Sequence, residues 1–216
     1  MSQAAPQTRV DIAWLGELPC RVGQILIDKT PGEFLLCHRD DAGRSDLATS
    51  WTPYAASEIA RYDDAGQYRR LKTAPNLRHG WLLLLQDFAA LPLALDLFYP
   101  GRVAAYEAWS RDKLTTTRFR DTLARQSGMY RAAAKIGEQE ADQLIANFCR
   151  SDGGCLRTIL WKRTADAPCA STRLPPEKFD VSYDQTGRCE RTLPLLCQEA
   201  CNLLVAEARQ VVKDGA

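Results

Sequence analysis

Val22-Gly23-Gln24-Ile25-Leu26-Ile27, followed by Lys29-Thr30-Pro31-Gly32 and then Glu33-Phe34-Leu35-Leu36-Cys37, is the stretch that decides the fold class. Two short runs rich in β-branched and aromatic residues are separated by a Pro-Gly turn signal, the pattern of adjacent strands. Upstream, Val10-Asp11-Ile12-Ala13-Trp14 reads as another strand, and Asp40-Asp41-Ala42-Gly43 closes the series with a further turn. The first part of the chain is therefore β-rich.

Beyond Trp51-Thr52-Pro53, residues 54–62 read as a short helix ended by Asp63-Asp64-Ala65-Gly66. A polar passage from Tyr68 to Trp81, carrying Arg69, Arg70, Lys72, Arg78 and His79 among Pro and Gly residues, suggests a module boundary near residue 80. Helical character dominates from Leu91 to Trp109, with an interruption at Tyr99-Pro100-Gly101, and residues 114–126 read as a basic amphipathic helix. A helix over Glu138–Phe148 has Glu138 and Glu140 in its first turn, where the helix dipole favours them. A β-like run, Leu156 to Trp161, and a short strand within Phe179–Tyr183 follow. Pro194 suits the first turn of a final helix that would carry Leu195, Leu203, Val205 and Val211. These elements predict an α+β protein: a β-rich module over 1–80, then a mainly helical module over 81–216.

Composition narrows the function classes. Against 28 basic residues stand 27 acidic ones, a net charge of +1, so no polyanion-binding bias exists and nucleic acid is not an expected partner. The apolar stretch from Trp81 to Pro100 is broken by Gln86, Asp87, Pro92 and Asp96, short of the roughly 20 clean apolar residues a membrane span needs. Met1 to Thr8 lacks the charged and apolar regions of a secretory signal, which points to the cytoplasm.

In a reducing compartment the eight cysteines point to metal rather than disulfides. Cys20 and Cys37 stand alone in the β-rich part and suit small buried side chains. The other six lie between residues 149 and 201, in the pattern Cys149-x5-Cys155, a 41-residue gap, then Cys197-x3-Cys201. Cys169 and Cys189 fall inside the gap and belong to no close pair. On a helix beginning at Pro194, Cys197 and Cys201 would sit at i and i+4 on one face, close to N–H groups that stabilise anionic sulfur. Gly153 and Gly154 let the backbone bend closely around an inorganic group. A thiolate-only site suits an iron-sulfur cluster or zinc. Neither pair has the Cys-x2-Cys spacing common in zinc knuckles, which favours iron and sulfide while leaving a structural zinc module as the competitor.

The x5 and x3 pairs resemble the cysteine spacing of sirohaem-dependent sulfite and nitrite reductases, whose cysteines hold a 4Fe-4S cluster; the likeness extends to the spacing alone. A broader resemblance spans most of the chain. Arg69-Arg70-Leu71-Lys72-Thr73-Ala74-Pro75-Asn76-Leu77-Arg78, Gly128-Met129-Tyr130-Arg131, Phe148-Cys149-Arg150-Ser151-Asp152-Gly153-Gly154-Cys155-Leu156 and Cys197-Gln198-Glu199-Ala200-Cys201-Asn202-Leu203-Leu204 resemble the C-terminal half of long CbiX-type sirohydrochlorin chelatases. That half comprises a stabilising domain and a 4Fe-4S cluster domain. The resemblance implies a 4Fe-4S cluster and a link to tetrapyrrole or cobalamin metabolism. It also implies that the catalytic chelatase domain, which would precede residue 1, lies outside this sequence, so metal insertion by this chain alone is not expected.

Three functions then compete. A closed four-cysteine cluster favours a redox or accessory protein, because Lewis-acid catalysis requires an iron with an open position. A cluster that changed partner affinity on oxidation would make the chain a sensor or interaction module. An enzyme acting on a tetrapyrrole would use Arg69, Arg70, Lys72 and Arg78, whose cationic groups are candidates to pair with the ligand's carboxylates, beside the plainer reading of a solvated loop. A basic belt of Lys113, Arg118, Arg120, Arg125, Arg131 and Lys135 could dock an acidic electron donor such as a ferredoxin, or be one wet helix face; a chelatase or a tetrapyrrole is the other candidate partner. His38 and His79, the only histidines, are too far apart in sequence to suggest a metal site unaided.

Overall fold

In a computed structural model the described residues are 12–70, 76–111, 119–125, 131–148, 158–163, 168–171, 181–183, 189–193, 195–197 and 200–215. The two strands expected around Pro31-Gly32 form, but the strand expected at Val10–Trp14 does not: Ala13–Leu15 is a short 3-10 helix, and Val10 and Asp11 lie outside the described residues. Strand β1 (Cys20–Val22) turns through Gly23 into β2 (Ile25–Thr30), and β2 turns through Pro31-Gly32 into β3 (Glu33–His38). Both pairings are antiparallel, with Cys20 opposite Ile27, and Ile27 opposite Leu36. Alternation places Ile25, Ile27, Phe34, Leu36 and His38 on the buried face.

Two further strands complete this side. β4 (Ala48–Ser50) lies parallel to β5 (Trp81–Leu85), and β5 pairs antiparallel with β3, bringing Leu83 opposite Leu36. Trp81–Leu85 is an unbroken apolar run, and its position inside the sheet explains why: intervening residues are half-buried as well. The same sheet then recruits strands from far along the chain. β9 (Cys189–Leu193) runs parallel to β1, with Cys20 opposite Arg191, and β8 (Val181–Tyr183) pairs antiparallel with β9. The order across the seven strands is β4-β5-β3-β2-β1-β9-β8.

A second sheet of three strands, β10-β6-β7, is built from β6 (Thr158–Arg163), β7 (Pro168–Ser171) and β10 (Leu195–Cys197). The protein is α+β, with a strand-rich N-terminal part, as expected. The cysteine-bearing region combines strands with its helices.

Six helices accompany the sheets among the described residues. α1 (Ala55–Ile59) is one short turn, and α2 (Ala90–Phe98) buries Leu91, Ala94, Leu95 and Phe98 at helical spacing. Phe98 packs on Trp81 with ring centroids 5.0 Å apart. Tyr99 and Gly101 end α2, Gly101 with φ of +76°, and α3 (Arg102–Ser110) follows, so the interruption expected there is present. Tyr106 on α3 stacks on Trp14 at 4.7 Å. α4 (Phe119–Arg125) occupies part of the expected basic helix, and α5 (Glu138–Phe148) has the expected bounds. None of the helices is long and apolar enough to cross a membrane.

The last helix departs from expectation. It was expected to start at Pro194 and carry Cys197 and Cys201 on one face. Instead Leu195–Cys197 is strand β10, paired in parallel with Thr158–Leu160 of β6, and α6 (Asn202–Asp214) starts only after Cys201. Hydrogen bonding to β6 satisfies backbone groups that an isolated first turn would leave unpaired, and this outweighs the local preference of Pro194.

Charged and polar groups inside the core are specifically held. Gln24 N donates to the Tyr99 hydroxyl at 3.2 Å, and Gln24 Oε1 accepts from Leu77 N at 2.7 Å. Burial lowers the pKa of His38 from 6.5 to about 4, so its imidazole is neutral at neutral pH.

The β1–β2 turn is the tightest point of this packing. Gly23 has φ of +59°, and a Cβ there would lie 2.5 Å from the Tyr99 hydroxyl and 2.9 Å from its Cζ. Tyr99 is itself buried and cannot swing away freely. Gly23→Ala should therefore destabilise the fold by about 1–3 kcal/mol, combining backbone strain with overpacking. Urea unfolding of the variant beside wild type measures it; an unchanged midpoint would contradict the packing described here.

Candidate metal centre

The cysteine pair nearest the C-terminus sits where the second sheet hands over to α6. Cys197 is the last residue of β10, level with Leu160 of β6, and is buried. Cys201 is the N-cap of α6, with extended φ and ψ of −67° and 155°, and its Sγ accepts from Leu204 N at 3.4 Å. Sulfur here replaces the oxygen that Ser or Asp normally supplies to the unpaired N–H groups of a first turn. Burial pushes the Cys201 thiol above its ordinary pKa, while the N–H groups of Leu204, Leu203 and Cys201 pull the other way. The two sulfurs thus belong to a strand end and a helix cap rather than to one helical face. Around them, Ala200, Leu204, Val205 and Ala208 join the same apolar core as Tyr106, which keeps bulk water away.

Cys149 and Cys155 lie outside the described residues, but the elements flanking them are placed. α5 ends at Phe148, the residue before Cys149, and packs against α6; β6 starts at Thr158, soon after Cys155, and pairs with the strand that ends in Cys197. Of the other cysteines, Cys20 is buried in β1 and Cys37 half-buried in β3, while Cys169 lies in β7 and Cys189 opens β9. A buried thiol at a strand end and a second thiol at a helix N-cap, with an amide donor directed at its sulfur, are soft donors that suit an iron-sulfur cluster.

The basic passage is divided by the fold. Arg69 points inward: it is 5% exposed, its Nη1 donates to Ala60 O at 3.3 Å, and its backbone N donates to Arg61 O at 2.8 Å. Arg70 is exposed and Arg78 half-buried, with Arg78 O accepting from Trp81 Nε1 at 2.7 Å. Lys72 lies outside the described residues. In the basic belt, Arg120 Nε donates to Ile136 O at 3.1 Å, while Arg131 and Lys135 are exposed; Lys113 and Arg118 lie outside the described residues, as does the side chain of Arg125.

Two family models cover successive parts of the chain and meet at residue 111 rather than near 80. Residues 10–111 match the family model described as the DR2241 stabilising domain. Residues 111–210, which contain Cys149, Cys155, Cys197 and Cys201, match the family model described as a 4Fe-4S iron-sulfur cluster binding domain. Among solved structures, the chain resembles DR2241 from Deinococcus radiodurans, at 27% identity and a TM-score of 0.57 over 93% of this chain. That protein is described as a multi-domain protein with structural similarity to chelatases and two additional novel domains, and the present chain spans 40% of its length. No curated protein matches.

The inward and outward arginines should separate experimentally. Arg69→Ala is expected to lower stability by about 1–2 kcal/mol, since it strands the Ala60 carbonyl and opens packed space, while Arg70→Ala should change it by less than about 0.5 kcal/mol. Thermal and urea unfolding of both variants reads the difference, and equal losses would mean that Arg69 is not held as described. The region from 111 to 210 is the part of the chain that matches a cluster-binding domain, and the cofactor is a 4Fe-4S iron-sulfur cluster.

Proposed function

We propose that the chain is a cytoplasmic redox or accessory protein in which Cys149, Cys155, Cys197 and Cys201 ligate the 4Fe-4S cluster, serving tetrapyrrole or cobalamin metabolism beside a chelatase-type partner. The observation that carries this reading is the coincidence of the cluster-binding match with all four paired cysteines, two of them at the β10–α6 junction. Cysteine at every iron leaves no open coordination position, which favours outer-sphere electron transfer or structural support over Lewis-acid catalysis. The exposed Arg131 and Lys135 suit an acidic electron donor of the ferredoxin type.

Likeness to DR2241 supplies the metabolic context. That protein has chelatase-like structure and two additional domains, and this chain matches a stabilising domain and a cluster domain in succession. We assign the chain to the additional domains, working with a chelatase-like unit. Arg70 and Arg78 remain the candidates for contact with a tetrapyrrole carboxylate, with Lys72 beside them in sequence; Arg69 has an internal role that competes with one.

Anaerobic purification with iron and sulfide quantitation, and electron paramagnetic resonance after dithionite reduction, tests the ligand set. Wild type should hold four irons and four sulfides per chain, as a 4Fe-4S centre requires. Cys201→Ser is the informative variant, because its oxygen can still cap α6. Retained helicity with loss of the reduced-cluster signal would identify Cys201 as a ligand rather than only a cap. Full iron content with an unaltered reduced-cluster signal in both Cys201→Ser and Cys201→Ala would remove it from the set, and zinc without sulfide would overturn the redox reading.

A further inference from the structure

The two histidines, distant in sequence, meet in the fold. β3 and β5 pair antiparallel with Cys37 opposite Leu82, so the end of β3 lies beside the residues that lead into β5. His38 and His79 consequently come together with ring centroids 3.9 Å apart and ring planes tilted by 54°. The turn after β3 adds Asp41, which is buried. One ring nitrogen of each histidine and one Asp41 oxygen all lie within 4.8 Å of one another.

We propose that His38, Asp41 and His79 form a binding site for a divalent first-row transition-metal ion, zinc being the one best suited, separate from the iron-sulfur cluster. Two neutral imidazoles and a carboxylate are the donor set of open zinc sites, in which water takes the fourth position. His79 is 41% exposed at its side chain, which gives an ion and a water ligand a way in from solvent.

One buried atom without a partner points to the same conclusion. His38 is fully buried, its Nδ1 accepts from Asp40 N at 3.2 Å, and its Nε2 has no hydrogen-bond partner. A buried polar atom without a partner is costly, on the order of 1–3 kcal/mol, and coordination of an ion at Nε2 would remove that cost. Ligation at Nε2 requires the ring proton on Nδ1, which then gives up its bond from the Asp40 amide and turns to the Asp40 carboxylate, whose Oδ2 lies 3.6 Å away. Metal-bound histidines commonly show this carboxylate–imidazole–metal arrangement, so Asp40 is the positioning residue of the site.

Asp41 is similarly aimed. Its Oδ2 accepts from Gly80 N at 2.6 Å and its Oδ1 from Arg44 Nη1 at 2.6 Å, leaving further lone pairs on both oxygens. Arg44 opposes an incoming cation, but it also holds Asp46 through two hydrogen bonds, which keep it when Asp41 turns to an ion. Donor atoms around a tetrahedral zinc lie roughly 3.4 Å apart for bonds of about 2.1 Å, so the cluster must close slightly; rotation of the half-exposed His79 supplies that movement.

The test uses cluster-loaded full-length protein, with iron content measured in every sample, so that failure here is distinguishable from failure of the cluster assignment. Zinc sulfate is added anaerobically, excess is removed by gel filtration, and zinc is counted by mass spectrometry alongside zinc K-edge absorption. One zinc per chain, with a shell of nitrogen and oxygen alone, is expected in wild type. His79→Ala and Asp41→Asn should each weaken zinc binding by at least about tenfold with iron unchanged; His79 is exposed enough that its replacement spares the fold. Zinc retention equal in wild type and both variants, or a zinc shell made of sulfur, would overturn the proposal.

Discussion

The parallel ladder between β1 and β9 is the constraint on which the rest of the arrangement depends. It brings Cys189–Leu193 back to Cys20–Val22, so strands about 170 residues apart in the chain share one sheet. A parallel pairing needs a long connection, and here that connection is most of the protein. After β9, only Pro194 separates the first sheet from β10 in the second, and proline cannot donate to a ladder. Matches over 10–111 and 111–210 mark two families, but the sheet does not stop where the first one does.

Sequence patterning revealed the elements whose signals are local. Ile25 and Ile27 alternate with polar or half-buried neighbours, Pro31-Gly32 marks a turn, and Gly101 separates two helices; each depends only on residues nearby. Trp81–Leu85 escaped because a run of apolar residues without alternation reads equally as buried strand or buried helix. β4 escaped because three residues, Ala48–Ser50, carry no period at all. The start of α6 was misplaced for a different reason: Pro194 is a sound helix-start signal, and pairing with β6, invisible in sequence, overrode it.

The candidate centres divide along the same line. Cysteine spacing in the chain was sufficient to nominate a cluster, since the candidate ligands lie close together in sequence as two pairs. It placed Cys197 and Cys201 near the N-terminus of the final helix, and that much holds, with one at a strand end and the other at the cap. His38, Asp41 and His79 could not be nominated, because their meeting depends on the register of β3 against β5. Likewise nothing in Arg69-Arg70 distinguishes the two side chains; the bond from Arg69 to Ala60 O does.

The cap on α6 gives one amide two duties. Sulfur at Cys201 accepts from Leu204 N, and α6 buries Leu204, Val205 and Ala208 in the common core, so packing fixes the helix that carries the cap. On the proposed ligand set, the same N–H would withdraw electron density from the iron-bound sulfur and raise the reduction potential. A change in packing beneath α6 would then reach the redox centre through a single hydrogen bond.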